Sequence, residues 1–191
     1  GKRQGFKHKT QGTLFYNIAE ILKEKKPVAF VLENVPGLKT HMSGKEKTLG
    51  IITATLQELG YDLEVKILDA SGFGLPQIRK RLFIVGFLRE NFPFLPGFEF
   101  PRPFKNKVFI NSILEKGIEG YSISKHLQKS YMFKIDDGRP ELVDGNSLIQ
   151  AKTLVSTYHK IQRLTGTFVK EGKTGMRLLS EKECKRLMGF P

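Results

Sequence analysis

The unbroken apolar run Val28-Ala29-Phe30-Val31-Leu32, set between Pro27 and Glu33-Asn34-Val35-Pro36, constrains the fold of this chain more than any other segment. It has strand length, and the absence of polar alternation reads as a strand covered on both faces, as in a parallel sheet. Before it, Leu14, Phe15, Ile18, Ile21 and Leu22 recur at helical spacing and Lys23 to Lys26 close the segment with charge suited to a helix C-terminus, which predicts a helix over 13–24. After it, Pro36-Gly37 breaks the chain into a loop, and Leu49, Ile52, Leu56 and Leu59 mark a second amphipathic helix ended by Gly60. Leu63, Val65 and Ile67 then alternate with Asp62, Glu64 and Lys66 as a strand of period two. The small-residue loop Ala70 to Pro76 leads to a further apolar strand, Leu82 to Phe87. Helix, strand, helix, strand, strand is the order of the second half of a doubly wound α/β sheet, where ligands gather at the carboxyl ends of strands. Glu33 falls at such an end. Arg79 and Arg81, two positions apart, would share one face of another strand, and together with a lone carboxylate they suit a planar, polar, partly anionic ligand such as a nucleotide base.

The charge points the same way. Thirty-two Lys and Arg against nineteen Asp and Glu leave a net +13, the sign expected for a polyanionic partner; a basic solvated surface is the plainer reading. No single tail carries it, because fourteen basic and eight acidic residues precede Leu88 and eighteen and eleven follow Phe87. One cysteine, Cys184, makes no intramolecular disulfide and begins no zinc site, so a reducing, cytoplasmic compartment and no metal are expected. No apolar stretch approaches bilayer-spanning length. Gly1-Lys2-Arg3-Gln4 opens without an initiator Met or a signal pattern, which suggests a start cut from something longer.

Beyond Leu88 the texture changes: Pro93, Pro96, Pro101 and Pro103 alternate with Phe92, Phe94, Phe98, Phe100 and Phe104. A domain boundary is expected within 88–104. From there to residue 176 the chain is rich in Gly, Lys and Thr with short β-like runs, a small irregular β-rich module. Ser180 with Glu183 three places on has capping-box spacing and predicts a short helix before Gly189-Phe190-Pro191. The expected division is therefore 1–87, 88–176 and 177–191, the last packing back on the first.

Four strings in order carry a resemblance: Gly12-Thr13-Leu14-Phe15, Glu33-Asn34-Val35, Gly74-Leu75-Pro76-Gln77-Ile78-Arg79-Lys80-Arg81, and Arg177-Leu178-Leu179-Ser180 through Glu183-Cys184 to Met188-Gly189-Phe190-Pro191. Each is weak alone. In this order and approximate spacing they resemble the C5-cytosine-specific DNA methyltransferases, over almost the whole chain. The resemblance implies the second half of a Rossmann-like methyltransferase sheet, followed by the family's variable target-recognition domain.

It also implies roles. Such enzymes flip a cytosine out of duplex DNA, attack its C6 with a cysteine thiolate and pass a methyl group from S-adenosylmethionine to C5. The ring is a poor electrophile unless its N3 is protonated or strongly hydrogen-bonded, and Glu33 matches the carboxylate that faces N3 and the exocyclic amine. Arg81 matches the arginine that holds the cytosine carbonyl, and Arg79 the one near the phosphate and catalytic loop; a guanidinium fork suits both better than lysine. Asn34 is expected to orient Glu33 or the adjoining loop. Leu14 resembles a residue packed near the cofactor, or is an ordinary helix contact. Gln77, in the same string as the two arginines, is expected at the DNA. In the recognition region Thr153-Leu154 resembles a Thr-aliphatic pair common there, while His159, Lys160 and Arg163 are candidates for base or phosphate contacts, or for solvated surface. Arg177 opens the element that braces the recognition module against the catalytic core, and is also placed among the DNA-binding candidates.

The family's glycine-rich cofactor loop, ribose-binding acid and Pro-Cys nucleophile loop should precede Gly1, and its closing Asn-containing helix should follow Pro191. Cys184 does not match the nucleophile, because no Pro-Cys step occurs and it sits in a predicted helix beside Leu187 and Met188. The expectation is a piece of a methyltransferase that cannot methylate alone. It would belong to a restriction-modification system in a bacterial cytoplasm, at the nucleoid. The expected partner is double-stranded DNA, the whole enzyme is expected to be a monomer, and self-association of the piece through an exposed sheet is a further expectation. Rival readings are a non-catalytic DNA-binding descendant, a relative acting on RNA, and one half of a split enzyme.

Overall fold

The computed structural model of the chain describes residues 11–43, 46–92 and 97–191, so the readings made on Gly1 to Gln4 and on Pro93, Phe94 and Pro96 lie outside the described residues. Two compact units emerge. The first comprises residues up to Leu68 together with Lys80–Arg102; the second comprises Asp69–Arg79 and Pro103–Pro191.

In the first unit α1 (Gln11–Lys25) leads into β1 (Ala29–Asn34), a 3-10 turn at Pro36–Lys39, a small hairpin of β2 (Met42–Ser43) and β3 (Glu46–Lys47), α2 (Thr48–Glu58), β4 (Tyr61–Asp69) and, after the excursion through 70–79, β5 (Lys80–Leu88). The two helices and three long strands stand where hydrophobic periodicity puts them. Gly60, at φ +92°, takes the left-handed conformation that ends α2. The sheet order is β1-β5-β4. Phe15, Leu22, Ile52, Leu56, Tyr61, Ile84 and Leu88 form the core, with Phe30, Leu32 and Leu63 packed against it.

One expectation is corrected here. β1 runs antiparallel to β5, from Ala29 opposite Phe87 to Asn34 opposite Leu82, and is not covered on both faces. Its residues alternate, with Phe30 and Leu32 half-buried towards the core and Val31 64% exposed. An all-apolar run carries no phase, so composition could not distinguish one covered face from two. The β1–β5 register also explains a glycine: Phe30 stands opposite Gly86, and a Cβ there would meet the Phe30 ring at 2.3 Å. With that space left free, the ring packs edge-on to Tyr61 at 4.9 Å, whose hydroxyl donates to the Pro27 carbonyl at 3.0 Å.

The second unit is irregular. Short β6 (Glu141–Val143) and β7 (Thr167–Val169) pair in parallel, α3 (Lys125–Leu127) runs into a wide turn at Gln128–Met132, and α4 (Glu181–Leu187) lies near the end of the chain. Its core gathers Ile110, Ile113, Ile123, Met132, Val143, Ala151, Phe168, Met176, Leu179 and Leu187. Ser180 and Glu183 make the capping box at α4: the Glu183 N–H donates to Ser180 Oγ at 3.1 Å, and the Ser180 N–H to Glu183 Oε2 at 2.7 Å. The units do not follow the chain linearly, since Asp69–Arg79 groups with the residues from 103 onwards and α4 shares their core.

Candidate active site

The end of β1 places Glu33 opposite Phe83, so Arg81, two residues before Phe83 on β5, is its diagonal neighbour on the same face. The side chains use that proximity: Arg81 Nε lies 2.6 Å from Glu33 Oε1. The Arg81 side chain is 21% exposed and that of Glu33 48%, so the pair sits at the rim of the sheet. Arg81 Nη1 also donates to the Lys80 carbonyl at 2.8 Å, which fixes the fork against its own strand. A carboxylate and a guanidinium held this way offer an acceptor or proton donor beside a rigid donor, a set that matches the edge of a pyrimidine.

Asn34 serves the loop: its Oδ1 accepts from the Val35 N–H at 2.8 Å, setting the exit from β1 towards the turn at Pro36. Leu14, in α1, is 61% exposed while Phe15 beside it is buried, so it presents apolar surface and is not an ordinary helix contact in the core.

Arg79 stands on the excursion assigned to the second unit, and its backbone is tied at both ends. Its N–H donates to Asp69 Oδ1 at 3.0 Å, and its carbonyl accepts from the Ala70 N–H at 3.0 Å. Its side chain has no hydrogen-bond partner among the described residues. Asp69, which also accepts from the Ser71 N–H at 3.2 Å, is a positioning residue that the sequence reading passed over. Its signal was present, because an Asp at a strand end before Ala-Ser-Gly is an Asx-turn pattern.

Several proposed DNA contacts are corrected. Gln77 is 1% exposed; its Nε2 donates to the Leu187 carbonyl at 3.0 Å and its Oε1 accepts from the Leu154 N–H at 3.3 Å, so both ends of its amide are spent on joining chain segments. Leu154 is partly buried against the core, whereas Thr153 stays half-exposed with its hydroxyl donating to the Ile78 carbonyl at 2.7 Å, so its expected role is not overturned. Arg163 is 5% exposed, with its guanidinium spent on Asp137 and on the carbonyls of Met132, Ile135 and Arg139. Arg177 is completely buried between Glu171 and Glu183. Burial works against its charge, but the hydrogen bonds to Glu183 and Glu171 outweigh that and hold the guanidinium above its ordinary value. A long basic side chain in a DNA-reading module looks the same in sequence whether it faces a phosphate or a buried carboxylate. His159 and Lys160 remain exposed on a 3-10 turn at Tyr158–Lys160.

Cys184 lies in α4 against the second unit's core, and burial pushes its thiol up to about 11, the opposite of an activated nucleophile.

The fold is that of a Rossmann-like α/β protein. The S. pombe Dnmt2 methyltransferase aligns with a TM-score of 0.71 at 19% identity, over 100% of this chain and 63% of that one, and the Entamoeba histolytica methyltransferase EhMeth with 0.67 at 19%, over 93% and 57%; both show the fold. The sequence model of the C-5 cytosine-specific DNA methylase family matches residues 1–191, and the chain belongs to that family. Type II methyltransferase M.MspI of Moraxella sp is 56% identical over 191 residues and M.BsuFI of Bacillus subtilis 53% over 192, each covering 100% of this chain. The chain spans 44% and 46% of those relatives' lengths.

Proposed function

We propose that this chain supplies the base-holding part of a DNA cytosine-5 methyltransferase that flips its target cytosine from duplex DNA. The observation that carries this is the Glu33–Arg81 pairing at 2.6 Å at the end of β1, in a chain of this family. Glu33 donates to, or hydrogen-bonds, N3 of the flipped cytosine and accepts from its exocyclic amine, so that electron density drawn from the ring makes C6 attackable. Arg81 holds the carbonyl, and Arg79 approaches a phosphate. Asn34 and Asp69 fix the loops after β1 and before β5 on which these groups depend.

S-adenosylmethionine supplies the methyl group when bound. The exposed apolar side chain of Leu14 fits a role in packing against it. The thiolate that adds to C6 is not Cys184, so the isolated 191 residues are not expected to turn over. The designation of the relatives as Type II methyltransferases supports a place beside a restriction enzyme, with double-stranded DNA as partner; a bacterial cytoplasm and a monomeric complete protein are part of the same proposal. Among the described residues no helix is long and apolar enough to cross a membrane.

The test is transfer of a labelled methyl group from S-adenosylmethionine by the complete gene product, with duplex DNA and structured RNA in competition. Methylation of cytosine C5 in DNA, lost in Glu33→Gln, is the expected result. Preferential labelling of RNA, or binding of DNA with no transfer, would overturn it.

A further inference from the structure

The peptide that joins Ile78 to Arg79 is gripped by two side chains, one on its carbonyl and one on its N–H. Thr153 Oγ1 donates to the carbonyl at 2.7 Å, and Asp69 Oδ1 accepts from the N–H at 3.0 Å. The backbone around this peptide is tied as well. The Ile78 N–H donates to the Ala151 carbonyl at 2.9 Å, the Ala151 N–H to the Pro76 carbonyl at 2.8 Å, and the Ala70 N–H to the Arg79 carbonyl at 3.0 Å. Gln150 Nε2 adds a bond to the Ser71 carbonyl at 3.0 Å. All of these residues lie in the second unit.

Neither side chain is needed there for local folding. As the start of an Asx turn, Asp69 has only to accept from the Ser71 N–H, which it does at 3.2 Å; its second bond reaches a residue ten positions further on. Ile78 is exposed, so water could satisfy its carbonyl, and exchanging that water for the Thr153 hydroxyl contributes only about 0.5–1.5 kcal/mol. What the two bonds do is fix a direction. With the peptide before Arg79 held on both sides and the Arg79 carbonyl bonded to Ala70, the Cα–Cβ bond of Arg79 has a set orientation. The Arg79 guanidinium has no hydrogen-bond partner among the described residues, so its backbone is what aims it.

We propose that Thr153 and Asp69 form a clamp that aims Arg79 at its anionic ligand, and that Thr153, 75 residues along the chain from the carbonyl it holds, is a positioning residue acting through Arg79. The inference rests on the reading of the chain as part of a DNA cytosine-5 methyltransferase. It assigns the Thr153 hydroxyl to the protein's own backbone and makes the aim of Arg79 depend on the segment 150–153.

The experiment uses the complete gene product and measures kcat and KM for methyl transfer to duplex DNA, together with the thermal midpoint, in double-mutant cycles with Arg79→Ala. Thr153→Val keeps the shape and removes the donor; it is expected to lower kcat/KM roughly 10- to 100-fold, divided between kcat and KM as in Arg79→Ala. Asp69→Ala should do the same. Thr153→Ser and Asp69→Asn keep the donor and the acceptor and should retain most of the transfer. In the Arg79→Ala background, Thr153→Val and Asp69→Ala should cost little more, because the residue they aim is gone. A merely structural role would lower the midpoint and make the losses add, and a direct contact of Thr153 with DNA would also make them add; additive losses overturn the proposal. Unchanged transfer in Thr153→Val and Asp69→Ala overturns it too, and if Asp69→Ala does not fold, Thr153→Val decides alone. A complete protein that transfers no methyl group overturns the enzymatic reading and the clamp's role with it, whereas an active enzyme with additive or absent losses overturns the clamp alone.

Discussion

Arg177 and Glu183, both with fully buried side chains, make a two-pronged ion pair, Nη1 to Oε2 at 2.7 Å and Nη2 to Oε1 at 2.9 Å. Glu171 takes Nε and Nη2 on its Oε2 at 2.9 and 2.8 Å, and the carbonyls of Leu178 and Glu115 take the rest. Every donor of the guanidinium is used, so the pair belongs to the folding of the second unit.

The first prediction follows from that burial. Arg177→Leu leaves the Glu183 carboxylate buried and short of its partner, and should cost about 3–5 kcal/mol in urea unfolding. The double variant Arg177→Met with Glu183→Met removes both charges and should be clearly milder than the sum of the two single changes. Strict additivity would show that the pair is not coupled.

Acid should loosen the same unit. Glu171 is held below its ordinary value of 4.5 by the Gly117 N–H and then by Arg177, and Glu115 by the Ser180 hydroxyl. Asp137 is held below 3.8 by Arg163, and Asp144 by the Asn146 N–H. Because the folded values are depressed, the unfolded chain binds more protons in the acid range. The stability these groups contribute is fully present above the ordinary carboxylate values and is lost as pH falls through the folded ones. The thermal midpoint should be flat from pH 7 to about 5 and fall below that, with a shallower fall in Glu171→Gln. A midpoint that rises on acidification would contradict the sign.

The sheet could be read before the structure because its information is local: Leu63, Val65 and Ile67 show their period, and Gly60 its turn. The candidate site was legible for a different reason, since Glu33 and Arg81 lie in short strings whose partners are set by strand register. What could not be read depends on contacts between residues far apart in the chain. Gln77 meets Leu187, Arg163 meets Asp137, and Arg177 meets Glu171, and nothing in a basic or amide side chain announces whether its partner is a phosphate or a buried carbonyl. The antiparallel β1 escaped for a related reason, since an all-apolar run such as Val28 to Leu32 carries no sign of which face is covered.

The rim position of the Glu33–Arg81 pair separates chemistry from folding. With Glu33 48% exposed, Glu33→Gln should leave the thermal midpoint of the complete enzyme within a degree or two. On the role proposed for Glu33 towards N3, the same change should lower methyl transfer by about 10²- to 10⁴-fold. Arg81→Lys keeps a charge but not the fork, and should impair transfer while leaving duplex affinity close to wild type. Unchanged transfer in Glu33→Gln would remove the carboxylate from the mechanism.

Cys184 provides the last test, because a thiol is the obvious candidate nucleophile in an enzyme of this family and this chain has one. Its place against the core and its value of about 11 leave almost no thiolate near neutral pH. Alkylation at pH 8 should therefore be slow in the folded protein and fast in urea, followed by mass. Cys184→Ala should leave methyl transfer by the complete enzyme unchanged, and no covalent adduct with a mechanism-trapping cytosine analogue should map to residue 184. Rapid native labelling, or an adduct at that residue, would mean that α4 opens to the substrate and that the second unit takes a direct part in the chemistry.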